Sequence, residues 1–282
     1  MARHPGSRGR EEPPPYYHEL VGDPGGTSSD YWRSLLTGEN RVLRRWRRVW
    51  HRVPSPPRCK VCQAPFHGPG GLAARAVGFG RTSDSTILCR KCFGKLSKSP
   101  GGAEVEISVL FTDVHGSTGL AEQVSAAAFG ALLQEYYGLA AAAVDRNGGT
   151  VDKFLGDGVM ALFIPVIAGE NHAGRAIEAG RAVLAAVEAL SACGLVVGAG
   201  VHAGPAYVGM IGSDQHSDFT AVGDTVNVAA RLGTRAGPGE LLVSRAAWDL
   251  AGLGHPPAEH EVEIVGRSGT LAVVPLTPAL VS

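Results

Sequence analysis

The stretch Val151 to Phe163, V-D-K-F-L-G-D-G-V-M-A-L-F, constrains this chain more than any other. Two apolar arms flank Gly156-Asp157-Gly158, and glycine-bracketed turns of this kind close β-hairpins. The spacing predicts a hairpin whose apolar positions Val151, Phe154, Val159, Ala161 and Phe163 pack inward. Packing accounts for those positions and for the glycines. It does not account for a carboxylate at the tip with a lysine four residues before it. In sequence order Lys153 can face a ring or a phosphate while Asp157 faces a cation. Taken alone, the stretch reads as an ordinary hairpin.

Two further stretches bear on that choice. In Ile107 to Thr118, I-S-V-L-F-T-D-V-H-G-S-T, an apolar strand ends in Asp113 and turns through small residues into a helix N-terminus. Backbone N–H groups of such a turn, here Val114, His115, Gly116, Ser117 and Thr118, suit phosphate oxygens. Asp113 can hold Mg²⁺ against those oxygens, while a plain N-cap by Ser117 or Thr118 is the alternative. With Asp157 it makes a carboxylate pair able to share two cations, the arrangement used in phosphoryl chemistry. In Asp218 to Leu232, D-F-T-A-V-G-D-T-V-N-V-A-A-R-L, Thr220 ends a short strand and Gly223-Asp224-Thr225 opens a helix. Asn227 and Arg231 lie four apart on one helix face. An amide and a guanidinium projecting together can orient a ribose and neutralise charge growing on a phosphate; a polar surface face is the alternative.

Together the three stretches resemble the class III nucleotidyl cyclases, the catalytic domain of adenylyl and guanylyl cyclases, over roughly residues 104–278. The motifs occur in that family's order and spacing, and G-V-H-A-G-P-A-Y-V-G-M-I-G-S between them is also similar. The resemblance implies an α+β, ferredoxin-like sandwich and a head-to-tail homodimer with active sites built between subunits. It implies that Asp113 and Asp157, assisted by the Val114 carbonyl, bind two Mg²⁺ or Mn²⁺. Lys153 and Thr220 would select the base, and Asn227 and Arg231 would stabilise the transition state. Arg267 in G-R-S-G would stand in for a phosphate-binding lysine. Thr220 departs from the Asp of many animal enzymes and matches bacterial relatives.

Base choice follows from hydrogen-bond polarity. Adenine N1 accepts and its amino group donates, matching a lysine ammonium and a threonine hydroxyl. Guanine would face Lys153 with an N1–H donor, a buried mismatch that costs enough to discriminate. The expected reaction is ATP to 3′,5′-cyclic AMP and pyrophosphate. The alternatives are a guanylate cyclase and a nucleotide-binding regulator whose N-terminal module contacts DNA or a partner.

The zero net charge hides a division. Residues 1–100 hold 18 Lys/Arg against 7 Asp/Glu, and residues 101–282 hold 8 against 19. Such asymmetry marks separate modules. Residues 1–29, rich in Pro, Gly and Ser, read as disordered. Residues 30–54 read as one basic amphipathic helix with a stripe of Trp32, Leu36, Leu43, Trp46, Trp50 and Val53. It is expected to pack on a neighbouring domain or subunit, with an anionic membrane or nucleic acid as alternatives. In 55–95, Cys59-x-x-Cys62 and Cys89-x-x-Cys92 can place four thiolates around structural Zn²⁺, with an iron–sulfur cluster or redox thiols as alternatives. Residues 96–103 have linker composition, and 104–282 form the catalytic domain.

The remaining Cys193 is expected to be an inert buried thiol. His172 and His202 are expected in capping or core roles, and His115 is not expected to ligate Mg²⁺, which prefers oxygen. No apolar run is long enough to span a bilayer, and the first residues lack a signal-peptide core. A cytoplasmic location with reduced thiols is therefore expected.

Overall fold

A computed structural model of the chain describes residues 27–53, 57–82, 87–98, 101–213, 217–264 and 269–277. Arg267 and the segment 1–26 lie outside them. The N-terminal part contains α1 (Thr27–Leu36), α2 (Arg41–His51), α3 (Gly68–Ala76) and α4 (Arg90–Ser97). There follow β1 (Gly101–His115), α5 (Ser117–Gln123), α6 (Ala126–Arg146), β2 (Thr150–Leu155), β3 (Gly158–Phe163), α7 (Pro165–Ala168) and α8 (His172–Glu188). The chain ends with β4 (Val196–Gly212), β5 (Ser217–Val222), α9 (Asp224–Arg235), β6 (Leu241–Ser244), α10 (Arg245–Leu250), β7 (His260–Glu263) and β8 (Thr270–Leu276).

One eight-stranded sheet runs β2-β3-β1-β4-β6-β8-β7, and β5 pairs with the far half of β4. All pairings are antiparallel except β4 with β6. Side chains alternate across β1, as a pleated strand requires. Leu110 and Val114 join Tyr136, Ala140, Ile177 and Val183 of α6 and α8 on one face. Ile107 and Val109 face the other side, where the N-terminal helices cover the sheet. On that same side Val228 and Leu232 of α9 pack against Leu242, Val262 and Val273. Each fully buried Leu, Ile or Phe in these layers stabilises the fold by roughly 1.5–3 kcal/mol.

The N-terminal region differs from its sequence reading in two places. The single helix expected over 30–54 is two, because the Asn40 side chain accepts from the Leu43 N–H at 3.0 Å and starts α2 afresh. That local cap outcompetes continuation of the helix. The stripe does pack on a neighbouring module: Trp32 is fully buried and stacks on Phe219 of β5 at 6.4 Å. The expected linker is also structured. Leu96 is buried in α4, and Gly101 to Ala103 already pair with Met210 to Val208. A Cβ on Gly102 would lie 2.3 Å from the Val208 carbonyl oxygen. The small residues that read as a linker are what lets two backbones approach this closely.

His172 and His202 are core histidines as expected, their Nδ1 atoms 2.9 Å from Ser108 Oγ and 2.8 Å from Ser244 Oγ. Cys193 is not buried; it sits exposed in a short 3₁₀ turn after α8. Phe154 is not packed inward either but is 47% exposed. Among the described residues no helix is long and apolar enough to cross a membrane.

Candidate active site

The sheet brings the two acidic motifs together. Thr112 of β1 pairs with Val159 of β3, so the hairpin tip carrying Asp157 lies beside the end of β1 carrying Asp113. Burial and the neighbouring Asp157 push the Asp113 carboxyl above its usual range, and His115 opposes them. Two carboxylates that repel each other at a half-buried site are what a hard cation relieves, and oxygen donors suit Mg²⁺ or Mn²⁺. The Val114 side chain is buried in the core, which leaves its backbone for any ligand. The His115 ring lies against Gly198 with Nε2 buried and without a hydrogen-bond partner among the described residues. Gly116 adopts φ 67°, a left-handed conformation that swings the chain from β1 into α5. Ser117 opens that helix and Thr118 is exposed.

Adjacent tyrosines of α6 brace this pair, and nothing in the sequence reading singled them out. Tyr136 is fully buried, with its hydroxyl 2.6 Å from Thr112 Oγ, immediately before Asp113. The Tyr137 hydroxyl donates to the Gly156 carbonyl, immediately before Asp157, and its ring lies 4.4 Å from Phe154. One helix thus spans the two strands that carry the carboxylates. In sequence, Tyr136 and Tyr137 read only as an aromatic step on an apolar helix.

A second cluster gathers the residues expected to select the base. The register of β2 against β3 shifts between Val151 and Lys153, and Asp152 is the residue left over. A bulge re-aims its side chain, here toward β5. The Asp152 side chain is 2% exposed, with Oδ2 accepting from the Thr220 hydroxyl at 2.7 Å and lying 3.3 Å from Lys153 Nζ. Burial raises the Asp152 carboxyl, and the bonds from Thr220 and Lys153 counter that. Lys153 keeps its ammonium partly in the open, with its side chain 41% exposed. Asp152 escaped the sequence reading because a bulge cannot be seen in an alternating pattern.

Asn227 and Arg231 lie on α9, the helix that follows β5. They project from the exposed face of α9, whose other face is seated on β4 so closely that a Cβ on Gly200 would lie 2.3 Å from Gly233 N. Around the two clusters the surface is apolar: Phe154, Leu155 and Val222 are 45–47% exposed on the strands that carry Lys153 and Thr220.

The four cysteines converge on one point. The sulfurs of Cys59, Cys62, Cys89 and Cys92 lie within 4.8 Å of one another, and Cys62 Sγ is 3.6 Å from Cys89 Sγ. Tetrahedral Zn²⁺ with Zn–S of about 2.3 Å asks for sulfurs roughly 3.8 Å apart. The Cys89 N–H points at Cys59 Sγ and the Cys92 N–H at Cys89 Sγ, as in a metal knuckle. Burial disfavours a thiolate at Cys59, but hydrogen bonds from Cys62, Cys89 and Cys92 outweigh it and bring that thiol well below its ordinary range. Hydrogen bonding to Cys59 in turn pushes Cys62 and Cys92 up. Four thiols at one point cannot all ionise unaided, Cys59 and Cys89 being shifted down while Cys62 and Cys92 are shifted up, and a bound cation removes the competition. The long spacing between the pairs is filled by α3.

A family model described as the adenylate and guanylate cyclase catalytic domain matches residues 102–270. Adenylate cyclase 1 of Rhizobium meliloti (strain 1021) is 35% identical over 134 residues, which are 45% of this chain and 20% of that protein. An adenylate cyclase of Anabaena cylindrica is 30% identical over 140 residues, 45% of this chain and 26% of that protein. The chain therefore spans only 20% to 26% of the length of these two relatives. Among solved structures, the guanylyl cyclase Cya2 matches with a TM-score of 0.58 and 27% identity, over 62% of this chain and 93% of that one. The adenylyl cyclase CyaB from P. aeruginosa matches with a TM-score of 0.56 and 29% identity, over 60% and 92%. The family model covers more than half of the chain and solved cyclases match its fold, so the chain belongs to the class III adenylate and guanylate cyclase family through the catalytic domain it carries.

Proposed function

We propose that the chain is an adenylate cyclase that converts ATP to 3′,5′-cyclic AMP and pyrophosphate at sites shared between two copies. The observation that carries this reading is the pair of clusters on neighbouring strands: two opposed carboxylates, Asp113 and Asp157, and a lysine and threonine on one buried acid. Two Mg²⁺ or Mn²⁺ ions at Asp113 and Asp157 would supply Lewis acidity at the phosphates and at the ribose 3′-hydroxyl. Lys153 and Thr220 hold the adenine edge. The N–H groups of the turn after Asp113 take phosphate oxygens. Asn227 orients the ribose, and Arg231 neutralises charge that grows on the phosphate as the 3′-oxygen attacks the α-phosphorus.

The exposed apolar residues Phe154, Leu155 and Val222 fit an interface with a second copy, which would bring its Lys153, Thr220, Asn227 and Arg231 to the carboxylate pair. The four cysteines hold Zn²⁺ as a structural staple for a small, basic module. Purified full-length protein given Mn²⁺ with ATP or GTP tests the reading through its products. Cyclic AMP formed in preference to cyclic GMP supports it. Predominant cyclic GMP would make the chain a guanylate cyclase, and no cyclic nucleotide would set the enzymatic reading aside.

A further inference from the structure

The bond between Thr220 and Asp152 has a chemical consequence for whatever base meets Thr220. A threonine hydroxyl has one proton and can turn it either way, so on its own it accepts from one partner or donates to another. An ionised carboxylate can only accept. At 2.7 Å from Asp152 Oδ2, the Thr220 proton is committed to that oxygen, and the outward lone pairs of Thr220 Oγ are left as acceptors. The same oxygen lies 3.3 Å from Lys153 Nζ, which offers donors alone. With its side chain only 2% exposed, Asp152 is largely shielded from solvent and relies on these bonds.

We propose that Asp152 sets nucleotide selectivity by fixing the polarity of the base pocket, donor at Lys153 and acceptor at Thr220. The proposal rests on the reading of Lys153 and Thr220 as the residues that face the base. Adenine presents N1 as acceptor beside the N6 amino donor, complementary to that pair at both positions. Guanine in the same pose presents an N1–H donor to Lys153 and the O6 acceptor to Thr220, mismatched at both. A freely turning threonine would relieve half of that mismatch by donating to O6. Asp152 removes that freedom, so it acts through Thr220 as a positioning residue and need not touch the nucleotide. Discrimination of this kind is strong because a buried polar group left unpaired is costly.

The test is the ratio of ATP to GTP affinity, measured by displacement of a fluorescent N-methylanthraniloyl-ATP from the full-length protein in Ca²⁺, where binding is read without turnover. Asp152→Ala frees the Thr220 proton and is expected to lower the ATP-over-GTP preference by about tenfold, the size of one relieved buried mismatch. Asp152→Asn keeps the shape and one acceptor oxygen, so its preference should fall between the parent and Asp152→Ala. It also serves if the alanine variant does not fold. Thr220→Val removes the hydroxyl, and in that background Asp152→Asn should leave the ratio unchanged within about twofold. A purely structural role for Asp152 would weaken ATP and GTP alike and leave the ratio intact. The proposal is overturned if Asp152→Asn binds both nucleotides with the parent's ratio while Thr220→Val lowers it. It is equally overturned if Asp152→Asn still shifts the ratio without the hydroxyl. A parent protein that itself prefers GTP would overturn the adenine reading of the pocket as well.

Discussion

Asp113 is the residue whose ionisation the site opposes most plainly, since burial and Asp157 both favour its protonated form. A carboxyl whose folded pKa is raised above its unfolded value is destabilising when ionised, so the metal-free protein is penalised above the unfolded pKa. Asp113→Asn should therefore raise the melting temperature of the metal-free protein at neutral pH while abolishing activity. A melting temperature that falls instead would contradict the repulsion. Cation binding needs the ionised form, so Mn²⁺ affinity should decline on acidification at a pH above the 3.8 of an unperturbed aspartate. At the base end, Lys153→Glu with Thr220→Cys should shift preference from ATP toward GTP, because Glu accepts the guanine N1–H. The new carboxylate would stand beside Asp152, so much of the total activity should be lost. Parental cyclic AMP synthesis by the double variant would remove both residues from base selection.

At the scale of elements, α6 is a brace across two strands. Its Tyr137 holds the peptide before Asp157 and its Tyr136 holds the threonine before Asp113. Partners that orient metal ligands typically contribute 10–100-fold to affinity or activity. Tyr137→Phe keeps the ring on Phe154 and removes only the hydroxyl, so it is expected to weaken Mn²⁺ activation about tenfold with little change in melting temperature. A large loss of stability with unchanged Mn²⁺ dependence would make Tyr137 a packing residue only. The cysteine module is tied to the same hairpin: Lys60, between Cys59 and Cys62, donates to the Gly149 carbonyl at 3.0 Å, one residue before β2. Metal analysis of the full chain should find about one zinc per molecule. Cys59→Ser should lose the metal and destabilise the chain, and a metal-free parent with four freely reactive thiols would refute the staple.

Across the whole molecule, the position of Asn227 and Arg231 is decisive. They stand exposed on α9, and under the proposed function they complete a site whose carboxylates come from the second copy. Asp113→Ala damages one half and Arg231→Ala the other, and each variant alone should be about 10²–10³-fold less active. In an isologous dimer the halves are exchanged between subunits. Mixed and allowed to exchange, about half the dimers would be hybrids with one intact site of two, so activity per chain should return to about a quarter of the parent's. Cyclic AMP formation by each variant and by the mixture is the measurement. No recovery despite demonstrated subunit exchange would place the whole site within one chain.

The sequence alone was enough for whatever depends on local pattern. The hairpin tip at Asp157, the strand end at Asp113, the helix face with Asn227 and Arg231, and the paired cysteines are each legible because turns, strand ends and i,i+4 faces are short-range features. Tertiary structure decided what depends on distant residues meeting. The bulge that buries Asp152 exists because β2 must match β3 in register, and its partner Thr220 lies on β5, beyond any local pattern. The Tyr136 and Tyr137 hydroxyls find partners only once α6 lies across β1 and the hairpin. Gly101 to Ala103 read as a linker because small residues carry no apolar signal, yet they form a strand because β4 comes too close for side chains. Likewise the apolar stripe that begins at Trp32 shows that it must be covered, but only the folded chain shows that Phe219 covers Trp32 and Phe79 meets Trp46 and Trp50. Burial is a property of the partner as much as of the residue, and the partner is chosen by the fold.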